Sequence, residues 1–148
     1  MIKYEYILKA ALFFLLYILT STSSSAQWLT GYNFRKPVEI NESNVPGTTD
    51  LVDYPLLVNL TDPNLAHTSS SGYVEDINGY DINFTASDGS TTLDFEIERY
   101  NSTTGELVAW VRIPLLSATA NTQLYLYYGN NSVGANPSVA STWNADFI

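Results

Sequence analysis

The chain has 148 residues, a formal net charge of −9 and no cysteine. The length suits one domain, and the missing cysteines exclude disulfides and a thiol nucleophile. An acidic surface repels phosphate groups, so we expect no binding to nucleic acid or to anionic membranes. His67 is the only histidine, which excludes a histidine-rich zinc site, and its Ser-rich loop favours a solvated side chain over a catalytic one.

The N-terminal segment has the layout of a secretory signal peptide. Two lysines flank a weakly basic start, residues 10–19 (AALFFLLYIL) form an unbroken apolar run, and a small polar stretch ends at Ala26. We predict a signal peptide at residues 1–26 and a mature chain that is secreted, periplasmic or on the cell surface, without stable membrane insertion. An uncleaved membrane anchor is the alternative, although the apolar run is short for a bilayer span. Cleavage leaves four basic and fourteen acidic residues, a formal charge of −10.

Two strand-like segments follow the predicted cleavage site. Residues 32–40 (YNFRKPVEI) are predicted to begin a strand with Phe34, Val38 and Ile40 on one side, and Pro37 lacks a backbone donor, which predicts a sheet edge or a bulge there. Residues 54–61 (YPLLVNLT) form the next predicted strand. Because Leu57 makes its second face partly apolar, we expect this strand to be covered on both sides.

Residues 79–130 contain four further segments with the period-2 pattern of half-buried strands, separated by turn-rich spacers. This succession predicts a meander within an all-β domain, an antiparallel β-sandwich of jelly-roll-like type at residues 27–130. Residues 131–148 lack periodicity and are interpreted as a linker or the start of a following domain, so we expect the chain to be a fragment of a longer protein. The four segments are Tyr80-Ile82-Phe84, Leu93-Phe95-Ile97, Leu107-Ala109-Val111-Ile113 and Leu124-Leu126-Tyr128.

Six motifs in this order resemble the bacterial family known as domain of unknown function 2341, and the similarity covers most of the mature chain. The motifs are YNFRKPVEI (32–40), GYDINF (79–84), SDG (87–89), LDFEIE (93–98), VAWVRIP (108–114) and LYLYYGN (124–130).

The resemblance implies a secreted or periplasmic β-sandwich module. Such modules usually precede a concanavalin A-like, laminin-G-type lectin domain, or are fused to proton-channel proteins of the MotA/TolQ/ExbB type. The ending STWN (141–144) looks like the junction to such a lectin domain. The family has no established catalytic residues, so the resemblance assigns none.

One candidate for chemistry is the carboxylate row of Asp94, Glu96 and Glu98. Alternate residues of a strand share a face about 6.6 Å apart, a spacing at which paired carboxylates can hydrolyse glycosides. The row resembles a permuted form of the Glu-x-Asp-x-Glu strand motif of jelly-roll glucanases. The alternative is the solvated face of an ordinary strand, with Arg99 or Arg112 as partners, and we expect no enzymatic activity.

A second candidate is a calcium site in acidic loops, because calcium takes six to eight oxygen ligands. The spacing is not that of an EF-hand, and the alternative is a set of turns whose side chains bind their own backbone. Asp88, followed by Gly89, suits a hairpin turn in particular. The candidate ligands are Glu75, Asp76, Asn78, Asp81 and Asp88.

A third candidate is an aromatic surface on two strands that are expected to be adjacent. If Leu107 and Leu124 begin the inward-facing rows, then Trp110, Tyr125 and Tyr127 point outward on one surface, beside Arg112 and Glu96. Flat rings next to carboxylates can stack on sugars and bind hydroxyl groups. The alternatives are an inner face of the second sheet or a docking surface for a downstream domain.

Together these features predict a non-catalytic accessory module for adhesion or carbohydrate recognition, with a glycan or a downstream lectin-like domain as partner. Calcium is the one cofactor for which the sequence offers candidate ligands. A structural spacer that docks a neighbouring domain is the alternative, and a glycoside hydrolase is a lesser one.

Overall fold

The computed structural model describes residues 28–143, so the predicted signal peptide and the last five residues lie outside the described residues. The described part is built from strands, with short 3-10 helices at residues 42–44, 63–65, 68–70 and 140–142. The strands are β1 (Phe34–Ile40), β2 (Leu51–Thr61), β3 (Asn83–Ala86), β4 (Phe95–Asn101), β5 (Glu106–Leu116) and β6 (Thr122–Tyr128).

The six strands form two antiparallel sheets of three strands each, in the orders β1-β6-β3 and β2-β5-β4. This confirms the predicted all-β sandwich. The predicted meander is wrong, because among β3 to β6 only β4 and β5 are both consecutive in the chain and paired. The spacers at residues 87–94 and 117–121 carry the chain from one sheet to the other. Period-2 patterning defines the two faces of a strand but not its partner, so the pairing was not predictable from it.

The core lies between the two sheets and contains the apolar rows that the sequence predicted. Leu124 and Leu126 of β6 and Ala109 and Val111 of β5 are almost completely buried. Phe84 and the Phe95 ring of the opposite sheet meet edge to face, with ring centroids 5.1 Å apart. Each fully buried large aliphatic side chain stabilises the fold by about 1.5–3 kcal/mol, which suits a domain without disulfides.

The two N-terminal strands lie at sheet edges. Pro37 is in β1, an edge strand, as its missing backbone donor predicted, and it pairs with Tyr125. The expectation that β2 is covered on both sides is wrong, because the Leu57 side chain is 44% exposed. Leu57 lies opposite Trp110 in the register and points away from the core.

Candidate functional site

The outer face of the β2-β5-β4 sheet carries the side chains that the sequence assigned to ligand binding on β5. Leu107, Ala109 and Val111 are buried inward, so the alternating Trp110 and Arg112 point outward, as predicted. The strand register places Leu57 of β2 and Glu96 of β4 on either side of Trp110. We refer to the surface formed by Leu57, Trp110, Arg112, Glu96, Glu98 and Trp143 as the Trp110 face.

Two indole rings are held on this face by carboxylates. The Trp110 Nε1 donates to Glu98 Oε2 at 2.8 Å, and the Trp143 Nε1 donates to Glu96 Oε2 at 2.5 Å. The two rings are tilted by 56°, with centroids 5.2 Å apart. Both hydrogen bonds use the ring edges, so the carboxylates fix how the π faces are presented.

Trp143 reaches this face because residues 138–143 run beside the free edge of β4. Ser138 Oγ accepts from the Ile97 N–H at 3.0 Å, and the Val139 N–H donates to the Phe95 carbonyl at 3.0 Å. The Ser141 carbonyl accepts from Arg112 Nη1 at 3.1 Å. Trp143 was not predictable as a site residue because its segment has no periodicity. The one available signal was a tryptophan among small polar residues.

Arg112 organises the other end of the face. Its Nε and Nη2 lie 3.1 Å and 3.0 Å from the two carboxylate oxygens of Asp53, and its Nη1 lies 3.8 Å from Asp94 Oδ2. Asp53 has a φ of 53° and lies opposite Pro114, where the β2–β5 pairing is interrupted without a change of register, and its side chain binds Arg112. An open polar cleft of about 300 Å³ lies here, and its lining residues are Asp53, Thr91, Thr92, Leu93, Asp94, Arg112 and Pro114.

The carboxylate row of β4 is not a simple alternating row, because a bulge falls between Ile97 and Arg99. Asp94 faces Arg112, whereas Glu96 and Glu98 each accept a hydrogen bond from an indole. Arg99, one of the expected partners, instead binds Glu106 at 2.6 Å.

The expectation that Trp110, Tyr125 and Tyr127 share one surface is wrong, because β5 and β6 lie in different sheets. The two tyrosines do point outward from β6, but on the opposite side of the sandwich. Tyr127 is completely buried there, and its hydroxyl donates to the Gly89 carbonyl at 2.9 Å. The Arg35 guanidinium stacks on Tyr125, with 4.3 Å from Cζ to the ring centroid.

Asp81, one of the five proposed calcium ligands, is fully buried and binds backbone N–H groups. Its Oδ2 accepts from Glu75, Gly129 and Asn130 at 2.9, 2.9 and 3.2 Å, and its Oδ1 accepts from Asp76 at 3.0 Å. These bonds tie the loop after residue 74 to the end of β6. They also explain why residues 79–82 form a turn rather than the predicted start of a strand.

The other proposed calcium ligands do not gather around Asp81. Asp76 Oδ1 accepts from the Asn78 N–H at 2.8 Å, and Asp88 closes its own turn through Ser90 and Thr91. Within residues 28–143, no three acidic, histidine or cysteine side chains are placed to hold one metal ion. Calcium binding stays a prediction, and these hydrogen bonds are the ones that the turn interpretation expects.

The same loop region contains two further groups that organise structure. The Tyr100 hydroxyl donates to the Leu65 carbonyl at 2.7 Å, and burial, with a smaller effect of the Asp81 and Asp76 carboxylates, raises its pKa. His67 Nδ1 accepts from the Ser69 N–H at 3.1 Å, which leaves Nε2 to donate to the Glu75 carbonyl at 3.2 Å. His67 therefore holds its loop rather than lying free in solvent.

Fold and surface together define a small all-β sandwich module with one outer face that combines aromatic rings, carboxylates and a guanidinium. Residues 78–147 match the model of the family described as Domain of unknown function (DUF2341). The match confirms the resemblance drawn from the sequence and contains every residue of the Trp110 face except Leu57; it does not reach the YNFRKPVEI motif of β1. Comparison with curated proteins and with solved structures gave no significant match. Among the described residues, no helix has the length and apolarity needed to cross a membrane.

Proposed function

We propose that the chain is an exported, non-catalytic accessory module that binds carbohydrate on the Trp110 face. The observation that carries the proposal is the juxtaposition of two indoles, two glutamates and Arg112 on one outward-facing surface. Three of the five residues expected to bind a ligand, namely Trp110, Arg112 and Glu96, lie together here, on neighbouring strands.

The chemistry of the face suits sugar rings. Indole faces bind the apolar C–H faces of pyranoses, and ionised carboxylates accept hydrogen bonds from hydroxyl groups. Arg112 supplies donors, and the neighbouring cleft adds the hydroxyl groups of Thr91 and Thr92. A sugar chain could therefore stack on the indoles and continue into the polar cleft.

The same geometry argues for binding rather than hydrolysis. Glu98 is exposed on a sheet face, and both Glu96 and Glu98 already accept an indole hydrogen bond. A glycosidase needs a carboxylic acid and a carboxylate that flank the scissile bond in a site shielded from bulk water. We therefore infer that the carboxylate row orients the rings and does not act as an acid and nucleophile pair.

A glycan array, probed with the wild-type chain and with Trp110→Ala, tests this function. We expect binding of at least one polysaccharide class, weakened at least about fivefold by the substitution, since stacking on one ring contributes roughly 1–3 kcal/mol. Trp28→Ala is the matched control, because Trp28 is 46% exposed and packs against Tyr127 of the other sheet, away from the Trp110 face. Absence of binding by a folded wild-type sample, or equal loss in both variants, would reject the proposal.

A second candidate, a structural spacer, is favoured by the contact of residues 138–143 with the same face. In that function, the contact between Trp110 and Trp143 holds residues 138–143 against the sheet and binds no ligand. Urea unfolding of Trp143→Ala, together with the array, separates the two functions. A spacer predicts lost stability and no glycan binding by the wild type, whereas the carbohydrate module predicts that wild-type binding is present and is weakened in Trp143→Ala.

A further inference from the structure

We propose that the ligand of the Trp110 face is a polysaccharide that carries protonated amino groups, such as a polymer of glucosamine units without N-acetyl groups. This inference rests on the proposed function, and it names the class of sugar from the charge and the aromatic chemistry of the site.

The Trp110 face and its ends carry a net negative charge. Five carboxylates lie on this face or at its ends, against two guanidinium groups, which leaves three negative charges. The carboxylates are those of Asp53, Asp94, Glu96, Glu98 and Glu106, and the guanidinium groups are those of Arg99 and Arg112.

Both guanidinium groups are already paired, and the glutamates beside the indoles are not. Arg112 binds Asp53 through two contacts, and Arg99 binds Glu106. Within the described part of the chain, neither Glu96 nor Glu98 forms a salt bridge, and each has an indole N–H as its hydrogen-bond partner. A cation that reaches the indoles therefore meets two carboxylates without a competing cationic side chain.

The indoles themselves favour a cation. Ring faces attract ammonium groups within about 6 Å of the centroid, and tryptophan does so best. Donation of the Trp110 and Trp143 N–H groups to glutamate carboxylates places acceptor oxygens at the ring edges, which makes the potential above the rings more attractive to a cation. Sulfated or uronic-acid polysaccharides would instead be repelled, whereas the same surface can stack the ring of an amino sugar.

Titration calorimetry with a matched pair of ligands tests the inference: a glucosamine hexasaccharide and its fully N-acetylated form. The titration is run at about pH 6, where sugar amines are largely protonated. We expect the wild type to bind the amine form at least about tenfold more tightly at low salt. We expect the preference to shrink at 1 M salt, where the Debye length is about 3 Å.

Variants that remove one charge show whether Glu96 and Glu98 cause the preference for the amine form. Glu96→Gln and Glu98→Gln keep a side-chain oxygen for the indole and should each reduce the preference by about threefold. Glu39→Gln is the matched control, since Glu39 is an exposed residue of the other sheet, and it should leave the preference unchanged. An equal effect of Glu39→Gln would show that the overall acidity of the chain attracts the amines, which overturns the inference.

The remaining outcomes separate this inference from the proposed function. Equal binding of both hexasaccharides, or binding only of neutral sugars on the array, would overturn the amino-sugar inference and leave carbohydrate binding intact. No binding to any sugar would overturn both. Trp110-dependent binding of oligolysine without binding of the amine hexasaccharide would show that the face takes a basic peptide, which also overturns the inference.

Discussion

Asp81 offers a stringent test of the structure, because the sequence suggested a calcium ligand and the fold places a buried acceptor there. Asp81→Asn keeps the size of the side chain, removes its charge and replaces one oxygen by an NH₂ group. If the amide oxygen takes the position that accepts from Glu75, Gly129 and Asn130, the NH₂ group faces the Asp76 N–H. Two donors then oppose each other in a site without solvent access.

The expected loss of stability follows from these four contacts. Hydrogen bonds to a charged acceptor contribute about 1.5–3 kcal/mol each, and a buried donor without an acceptor costs about 1–3 kcal/mol. An amide retains part of the first contribution, so we expect Asp81→Asn to lower the free energy of unfolding by roughly 3–5 kcal/mol. That is a large fraction of the roughly 5–15 kcal/mol typical of a domain.

Urea unfolding of wild type and variant, followed by tryptophan fluorescence in calcium and in excess EDTA, measures this loss. We expect the same difference in both buffers. Asp76→Asn is the control: its carboxylate caps an exposed turn through the Asn78 N–H, and an amide oxygen can do the same, so it should cost less than about 1 kcal/mol. A loss below about 1 kcal/mol for Asp81→Asn would refute the buried-acceptor reasoning. A loss seen only in calcium would show that the carboxylate binds the metal instead.

Two further predictions concern turns. Gly105 has a φ of 70°, and an added Cβ would lie 2.0 Å from the Asp62 carbonyl oxygen, so Gly105→Ala should cost roughly 2–4 kcal/mol in urea unfolding. Gly47→Ala, with a φ of 89° and no neighbour within 4 Å, should cost only the backbone strain of about 1–2 kcal/mol, and equal losses would contradict the steric reasoning. The hydroxyl of Thr91, followed by the N–H groups of Ser90 and Thr91, lowers the pKa of Asp88 from 3.8 to about 2. This folded-state pKa lies below the unfolded one, so the stabilisation is present above pH 3.8 and is lost as pH falls through about 2. Because Asp88 is exposed, solvent screening limits the effect to about 1 kcal/mol or less, and Asp88→Asn should remove that part of the acid-induced loss of stability. If the free energy of unfolding of Asp88→Asn fell with pH as steeply as that of the wild type between about pH 5 and pH 2, this account of Asp88 would be refuted.

The sequence by itself determined which side of each strand faces the core. Alternation in Leu107 to Ile113 and in Leu124 to Tyr128 assigned the inward rows of β5 and β6 correctly, and Pro37 marked an edge strand. These features are local: side chains of a strand alternate between faces, and proline lacks a donor wherever it lies. An all-β fold class could therefore be predicted from residues that are neighbours in the chain.

Only the tertiary structure decided which strands pair and which surface residues meet. Trp110 and Tyr125 lie on similar outward rows, yet the spacer at residues 117–121 takes β6 to the other sheet, so the two rings lie on opposite sides of the sandwich. Trp143 joins Trp110 because residues 138–143 bind the free edge of β4, a contact between segments about 40 residues apart. Asp81 becomes a buried acceptor because the donors of Gly129 and Asn130 are brought to it from the end of β6. Such contacts depend on how the two sheets pack around a shared core. Alternation within one strand does not specify this packing, so the sequence pattern could not predict the contacts.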